Sequence, residues 1–368
     1  LYLRIAAVFA VLYLFLVSIG MIGSAFKGLG RGFAESLFQS QASPFIGLFI
    51  GILATGLIQS SSTTTSLVVG MVAAGTFGND PKLAVAAAVP YIMGANIGTS
   101  ITNTIVSLGH IVNREEFKRA FSASVVHDFF NILAVVVIFP FEVIFGVISS
   151  AAYSLSSVLV GTGGGTFTSP VKMITKPTVK WIEALVQKQT IIDSDVLLLV
   201  AALSFLFFSL RNLTKLIKSL VMLRLQAFFD THIFRTTLRA MFFGVIITIL
   251  VQSSSITTSL VIPLAGAGIL NLRQIFPYTL GANIGTTVTS LLASMVSGTI
   301  APLAVALSHL IFNILGIGVL WPIKKVREIP IHLAEWFSDL ATKNKLYPLL
   351  YIFIVFFVIP LSLISIVR

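Results

Sequence analysis

The chain contains no cysteine, which excludes disulfide scaffolds, thiol nucleophiles and thiolate metal sites. Charge is scarce as well: 10% of the 368 residues are charged and 56% are hydrophobic, with a mean hydropathy of +1.00. A soluble protein of this length could not hide so much apolar surface, so lipid is the expected solvent. The apolar–polar alternation of an outer-membrane barrel is also missing, and helices remain the way to satisfy the backbone in lipid. Acids are the rarest charges, 13 against 24 Lys and Arg, and Asp128 is the one acid inside the long polar-patterned cores described below.

What is present is a series of charge-poor runs: Ile5–Phe26, Pro44–Thr76, Leu83–Leu108, Phe121–Val160, Val196–Leu210, Met241–Leu270, Ile275–Leu320 and Tyr347–Val367. Each suffices for a span, a pair of half-spans, or two spans with a tight turn. The first run outlasts a signal-peptide core and has no convincing cleavage site, so it reads as a retained helix. The net charge of +11 sits in connectors, at Arg211, Lys215, Lys218, Arg224, Arg235 and Arg239, and at Lys172, Lys176, Lys180 and Lys188. Basic connectors beside membrane helices meet anionic headgroups, and this reading is favoured over nucleic acid.

The chain repeats itself. "QSSSTTTSLV" at 59–68 returns as "QSSSITTSLV" at 252–261, an offset of 193 residues. "GANIGT" at 94–99 returns at 281–286, an offset of 187, and "HDFFNIL" at 127–133 is answered by "HLIFNIL" at 309–315, an offset of 182. The matched blocks keep their order while the loops between them shorten. Residues 1–160 therefore form a first transport repeat, 161–194 a polar connector, and 195–368 a second transport repeat. "GTGGGT" at the start of the connector lacks the Lys-Ser/Thr ending of a phosphate loop and reads as flexible linker. Charged residues after the first "GANIGT" helix (Arg114, Glu115, Glu116, Lys118 and Arg119) have no counterpart around Ser297–Ala301. Loops on opposite membrane faces would differ in this way, which points to inverted topology.

Pro44–Gly75 is too long for one economical span, and its centre, "QSSS", favours local side-chain hydrogen bonds over an apolar helix. A re-entrant helical hairpin is expected there and in the second copy, with each tip lining a wet cavity. Pro90–Thr104 and Pro277–Leu291, with two glycines bracketing an Asn, read as broken transmembrane helices. An unwound point followed by a new helix start would offer amides to anions and carbonyls to cations. No Lys or Arg lies in the Gln-Ser or "GANIGT" blocks. Hydroxyls and amides can hold a small oxyanion, but a multivalent one is costly without positive charge, which monovalent cations entering with it would supply. Hard oxygen donors suit sodium and not a transition metal. A channel for anions or cations, or a carrier of another small oxyanion, remains the alternative. An enzyme is not expected, because neighbouring His127 and Asp128 point in different directions on one helix and no nucleophile–base–acid set emerges. The paired His127 and His309 read as structural hydrogen-bonding residues.

These motifs resemble the type II sodium–phosphate cotransporter family: two "QSSS" hairpins, each followed by a Gly-(Ala/Ser)-Asn-Ile-Gly-Thr segment, plus "VHDFFN" in the first half. The resemblance runs from about Gly51 to Pro140 and from Gly244 to Pro322. It implies an all-α polytopic membrane protein of two inverted repeats that couples inward sodium flux to inorganic phosphate transport by alternating access. Carried over by motif, Ser60, Ser61, Ser62, Ser253, Ser254 and Ser255 would face phosphate, with Asn96 and Asn283. Gln252, Thr286 and Thr289 would serve sodium, as would Gln59 and Thr99 in the first repeat. In the family, Asp128 is tied to an extra sodium and to charge movement, and Asn131 to a further sodium site. His110 and Asn113 depart from the Gln and Asp of the family pattern at that last site. The resemblance implies no cofactor beyond sodium as coupling ion. It implies a multi-pass position in a bacterial inner (plasma) membrane, partners limited to phosphate, sodium and lipid, and is compatible with a homodimer.

Overall fold

The computed structural model describes residues 2–28, 43–99, 101–160, 170–188, 193–229 and 233–367. Every regular element among them is helical. Among the described residues, five stretches are long and apolar enough to cross a membrane: Leu3–Ile22, Pro81–His110, Arg114–Phe145, Ile300–Leu320 and Tyr347–Ile366. In chain order the helices are α1 (Tyr2–Gly28), α2 (Pro44–Ile58), α3 (Ser61–Ala74), α4 (Pro81–Gly98), α5 (Ile101–Ser107), α6 (Arg114–Phe145), α7 (Val147–Val160), α8 (Pro170–Val186) and α9 (Ser194–Phe229). They continue as α10 (Thr237–Val251), α11 (Ser254–Ser259), α12 (Val261–Gly266), α13 (Leu272–Ser294), α14 (Ile300–Leu320), α15 (Lys324–Lys343), α16 (Tyr347–Phe353) and α17 (Ile359–Val367). A π-helical turn, Ile354–Val358, joins the last two.

Local chemistry sets many of the boundaries. Asp80 caps α4 by accepting from the backbone N–H of Lys82 and Leu83 at 2.9 Å each, and Asn271 forms a reciprocal capping box with Gln274 at the start of α13. α6 ends at Gly146, whose φ of +60° suits glycine. The buried Glu142 carboxylate then accepts from Ile148 N–H at 2.6 Å and Ser149 N–H at 3.3 Å, anchoring the first turn of α7. One continuous apolar core joins the two halves, with Phe15, Met21, Phe121, Phe130, Phe276 and Phe312 all fully buried.

The expectation of a broken helix is corrected for the second copy: the "GANIGT" segment at 281–286 is not unwound, and α13 runs without interruption from Leu272 to Ser294. In the first copy α4 is helical through Gly98, with Thr99 in the right-handed region at φ −62° and ψ −26°, and α5 begins anew at Ile101; Ser100 between them lies outside the described residues. The glycines serve close contact instead. A Cβ on Gly94 would sit 1.9 Å from the Leu48 carbonyl oxygen, and one on Gly281 would sit 1.9 Å from that of Met241. Reciprocally, a Cβ on Gly51 would meet Tyr91 O at 2.2 Å and one on Gly244 would meet Tyr278 O at 2.1 Å. The motif is thus a small-xxx-small ridge, Gly94/Gly98 and Gly281/Gly285, that lets α4 cross α2 and α13 cross α10 at backbone distance. Part of the connector is helical. The glycine-rich stretch 161–169 and residues 189–192 lie outside the described residues, but 170–186 form α8, because Thr175 and Val179 recur on one face and are buried.

Candidate functional site

The two repeated Gln-Ser segments take one backbone shape. α2 ends at Gln59 (φ 58°, ψ 28°) and α10 ends at Gln252 (φ 55°, ψ 27°). These are the two non-glycine residues with positive φ among the described residues. A left-handed conformation costs a residue with a side chain about 1–2 kcal/mol, and strain of this kind is held where the surroundings over-determine it. The next residues, Ser60 and Ser253, are extended at φ −154° and −156° and cap the following helices. Ser60 Oγ accepts from Thr63 N–H at 3.2 Å, and Ser253 Oγ from Ile256 N–H at 3.4 Å. Ser61, Ser62, Ser254 and Ser255 follow in the first turns of α3 and α11 and are all buried.

The glutamine amides repeat their contacts too. Gln59 Nε2 donates to Gly56 O, and Gln252 Nε2 donates to Ile249 O at 2.6 Å. Gln252 Oε1 accepts from Thr289 Oγ1 at 2.7 Å, while Gln59 Oε1 accepts from Thr102 Oγ1 at 3.1 Å. Thr102 and Thr289 stand 187 residues apart, the offset of the "GANIGT" pair, so Thr102 is a site residue that the repeat arithmetic could have supplied. The copies differ in exposure. Gln252 is 9% exposed, whereas Gln59 is open to solvent.

The halves meet through these turns. Ser62 Oγ donates to the Gln252 carbonyl at 3.5 Å, and its repeat counterpart Ser255 donates to the Thr99 carbonyl at 3.3 Å. Asn103, not anticipated from the sequence, donates to Thr258 Oγ1 at 2.8 Å and accepts from Ser259 Oγ at 3.0 Å. Thr99 and Thr286 direct their hydroxyls to the carbonyls four residues back, Ala95 at 3.2 Å and Ala282 at 2.9 Å.

Asn96, Asn131 and Asn283 gather with His127, His309 and Asn313 into a second polar cluster, fully inside the core. Each histidine pairs with the glycine-flanked Asn of the other half: His127 Nε2 with Asn283 Oδ1 at 2.5 Å, and His309 Nε2 with Asn96 Oδ1 at 3.4 Å. Asn283 Nδ2 donates to Asn131 Oδ1 at 2.8 Å, and Asn96 Nδ2 to Asn313 Oδ1 at 2.9 Å. The cluster is therefore a two-fold exchange of the same bonds, with His309 Nδ1 left buried without a partner among the described residues.

Asp128, one residue along α6, points elsewhere. It is fully buried, and its Oδ2 accepts from the Tyr351 hydroxyl at 3.2 Å. Tyr351 belongs to α16, just before the π-helical turn, and stacks edge-on against Phe356 with ring centroids 5.8 Å apart. A Cβ on Gly56, near the tip of α2, would lie 3.8 Å from Phe356. Tyr351 has no repeat counterpart, so nothing in the sequence pointed to it. Of the residues that depart from the family pattern, Asn113 caps α6 by accepting from Glu115 and Glu116 N–H at 3.1 and 3.3 Å. His110 Nδ1 stands 3.5 Å from Glu116 Oε2.

Fold and site together define a helical membrane protein whose repeated segments share a doubled polar core. Residues 14–165 and 205–340 match the family described as Na+/Pi-cotransporter, and the chain belongs to that family. It is 32% identical to sodium-dependent phosphate transport protein 2B of Pongo abelii, across 98% of this chain and 64% of that protein. Against protein 2A of Ovis aries the identity is 32%, across 97% of this chain and 67% of the relative. Protein 2B of Homo sapiens gives 32%, across 98% and 64%. The chain thus spans just under two thirds of the length of the 2B relatives. No solved structure matches it.

Proposed function

We propose that this chain is a secondary active symporter that couples inward sodium flux to the transport of inorganic phosphate by alternating access. The carrying observation is the doubled turn: two strained glutamines, two runs of buried serine and no Lys or Arg in either. A phosphate dianion taken from water into such a setting without counter-charge would meet a desolvation penalty of tens of kcal/mol on a simple Born picture. Two sodium ions entering with it cancel that charge, and the Asp128 carboxylate leaves room for a third. The names of the relatives, and the 32% identity with them over nearly all of this chain, support the same solute and the same coupling ion.

In this reading the serines at 60–62 and 253–255 receive phosphate at the two turns together with Asn96 and Asn283, whose bonds to the cluster behind them also hold the halves in register. Gln252 Oε1, Thr289 and Thr286 supply oxygens for one sodium; Gln59, Thr99 and Thr102 are the counterparts in the first repeat. Asn131 and Asp128 on α6 complete the ion-binding set. The turns act as tips of re-entrant hairpins, and the repeats lie in inverted topology within a bacterial inner membrane. The contrast between a solvent-facing Gln59 and a covered Gln252 supports one-sided access: exchanging the conformations of inverted halves would expose Gln252 and cover Gln59. The test is uptake of radiolabelled phosphate into proteoliposomes. A sodium gradient should drive accumulation, and an equal potassium gradient should not; uptake indifferent to sodium ends the proposal.

A further inference from the structure

α8 carries three distinct faces. Thr175 and Val179 are 2% and 6% exposed and lie against α1, where Tyr13 Oη donates to Ile174 O at 3.3 Å and contacts Thr178 Oγ1 at 2.5 Å. Met173, Ile174, Trp181 and Leu185 recur at helical spacing on a second face and stand 46–64% exposed. Between these faces, Lys176 and Lys180 sit one helical turn apart on the rim of a cavity of about 290 Å³. Ser24, Thr175, Glu183, Ser297 and Thr299 complete the polar part of its lining. Among the described residues no carboxylate lies within 4.0 Å of either lysine.

The level of this cavity in the bilayer follows from its walls. Ser297 and Thr299 belong to the polar turn between α13 and α14, and such a turn lies at the headgroup region and not among acyl chains. α1 passes that level at Gly20, whose added Cβ would lie 2.9 Å from Val179 and 3.6 Å from Val296. From there α8 runs back beside α1 toward Tyr13, within the candidate span Leu3–Ile22. Its exposed apolar face therefore begins at acyl depth at Met173 and Ile174, while the two lysines and the hydroxyls stand at the surface end. Trp181, one residue past Lys180, stands at that same surface end, where an amphipathic ring is at home.

We propose that this cavity binds the headgroup of an anionic phospholipid, with Lys176 and Lys180 on its phosphodiester, hydroxyls of Ser24, Ser297 and Thr299 around it, and its acyl chains along the Met173–Trp181 face. The site is separate from the Gln-Ser turns and stands whether or not the transport reading holds. Each lysine near an anionic headgroup surface strengthens binding about five-fold. Glu183 opposes them, so its removal strengthens the site.

The test is native mass spectrometry of the purified full-length chain in detergent, titrated with phosphatidylglycerol or phosphatidylcholine. One phosphatidylglycerol should bind at least ten-fold more tightly than phosphatidylcholine. Lys176→Gln with Lys180→Gln should weaken it by roughly 20-fold, and Glu183→Gln should tighten it. Both lysines are exposed, and the thermal unfolding of the variants checks that they fold. Equal affinity for the two lipids, or no change in either set of variants, overturns the proposal. Displacement of the lipid by millimolar inorganic phosphate would make this a free-anion site and also overturn it.

Discussion

Removing the Gln252 side chain should be far more damaging than removing its repeat partner Gln59, and the structure gives the size of the difference. Gln252→Ala deletes an acceptor 2.7 Å from Thr289 Oγ1 and a donor 2.6 Å from Ile249 O. Thr289 is 1% exposed, so water cannot replace the lost partner. Leaving one buried polar group unsatisfied costs about 1–3 kcal/mol, and the expected loss is about 2–3 kcal/mol. Gln59→Ala deletes the matching bond to Thr102, longer at 3.1 Å and open to solvent; the expected loss is below about 1 kcal/mol. Thr289→Val added to Gln252→Ala should cost less than the sum of the two, with a coupling of about 1 kcal/mol. A further comparison isolates the backbone. Both Gln and Ala are strained at φ 55°, whereas Gly is not, so Gln252→Gly should be about 1 kcal/mol more stable than Gln252→Ala. Unfolding of the detergent-purified variants, followed by intrinsic fluorescence, ranks all five. Equal losses at Gln59 and Gln252, or no gain from Gly over Ala, would refute the reasoning.

Gly281→Ala places a methyl 1.9 Å from the Met241 carbonyl oxygen, so α13 and α10 must separate; we expect a loss of several kcal/mol or no folded protein, against little effect from Gly318→Ala, where the added Cβ meets nothing within 4 Å. Asp128→Asn should lower the charge moved per phosphate and the sodium dependence of transport while uptake persists, and unchanged currents would make the carboxylate structural. Tyr351→Phe removes the hydroxyl that donates to Asp128 Oδ2 and should alter apparent sodium affinity several-fold without abolishing uptake; a change confined to protein yield would argue against that role. Arg273, hydrogen-bonded to Glu328, holds that carboxyl below its ordinary value. Its contribution is therefore fully present above about pH 4.5 and is lost as pH falls through the lower folded-state value. Glu328→Gln should flatten this acid limb of the stability profile, measured by thermal unfolding between pH 3 and 6.

The sequence exposed the turns because their signal is duplicated. Gln, three serines and the flanking apolar helices recur as a block, and the structure gives both copies the same left-handed glutamine and the same serine cap. In the second copy the glycine-flanked Asn misled for a physical reason. Two glycines four residues apart are compatible with an unwound backbone and with two helices in backbone contact, and the residues that decide, Gly51 and Gly244, lie some 40 positions upstream on another helix. The crossed pairing of His127 with Asn283 and His309 with Asn96 was half visible, since the repeat offsets align both histidines and both asparagines. That each bond crosses between halves is a three-dimensional fact without a linear trace. Tyr351 and the cavity beside α8 left no trace, because neither is repeated and Lys176 and Lys180 read simply as part of a basic connector.

Equilibrium binding of radiolabelled phosphate to the purified protein, measured in sodium and in potassium at equal ionic strength, bears most directly on how an anion is held between two turns that carry no basic side chain. Binding should tighten steeply as sodium rises and should vanish in potassium alone. Phosphate retained equally in the two salts would mean that something other than a co-bound alkali ion neutralises it.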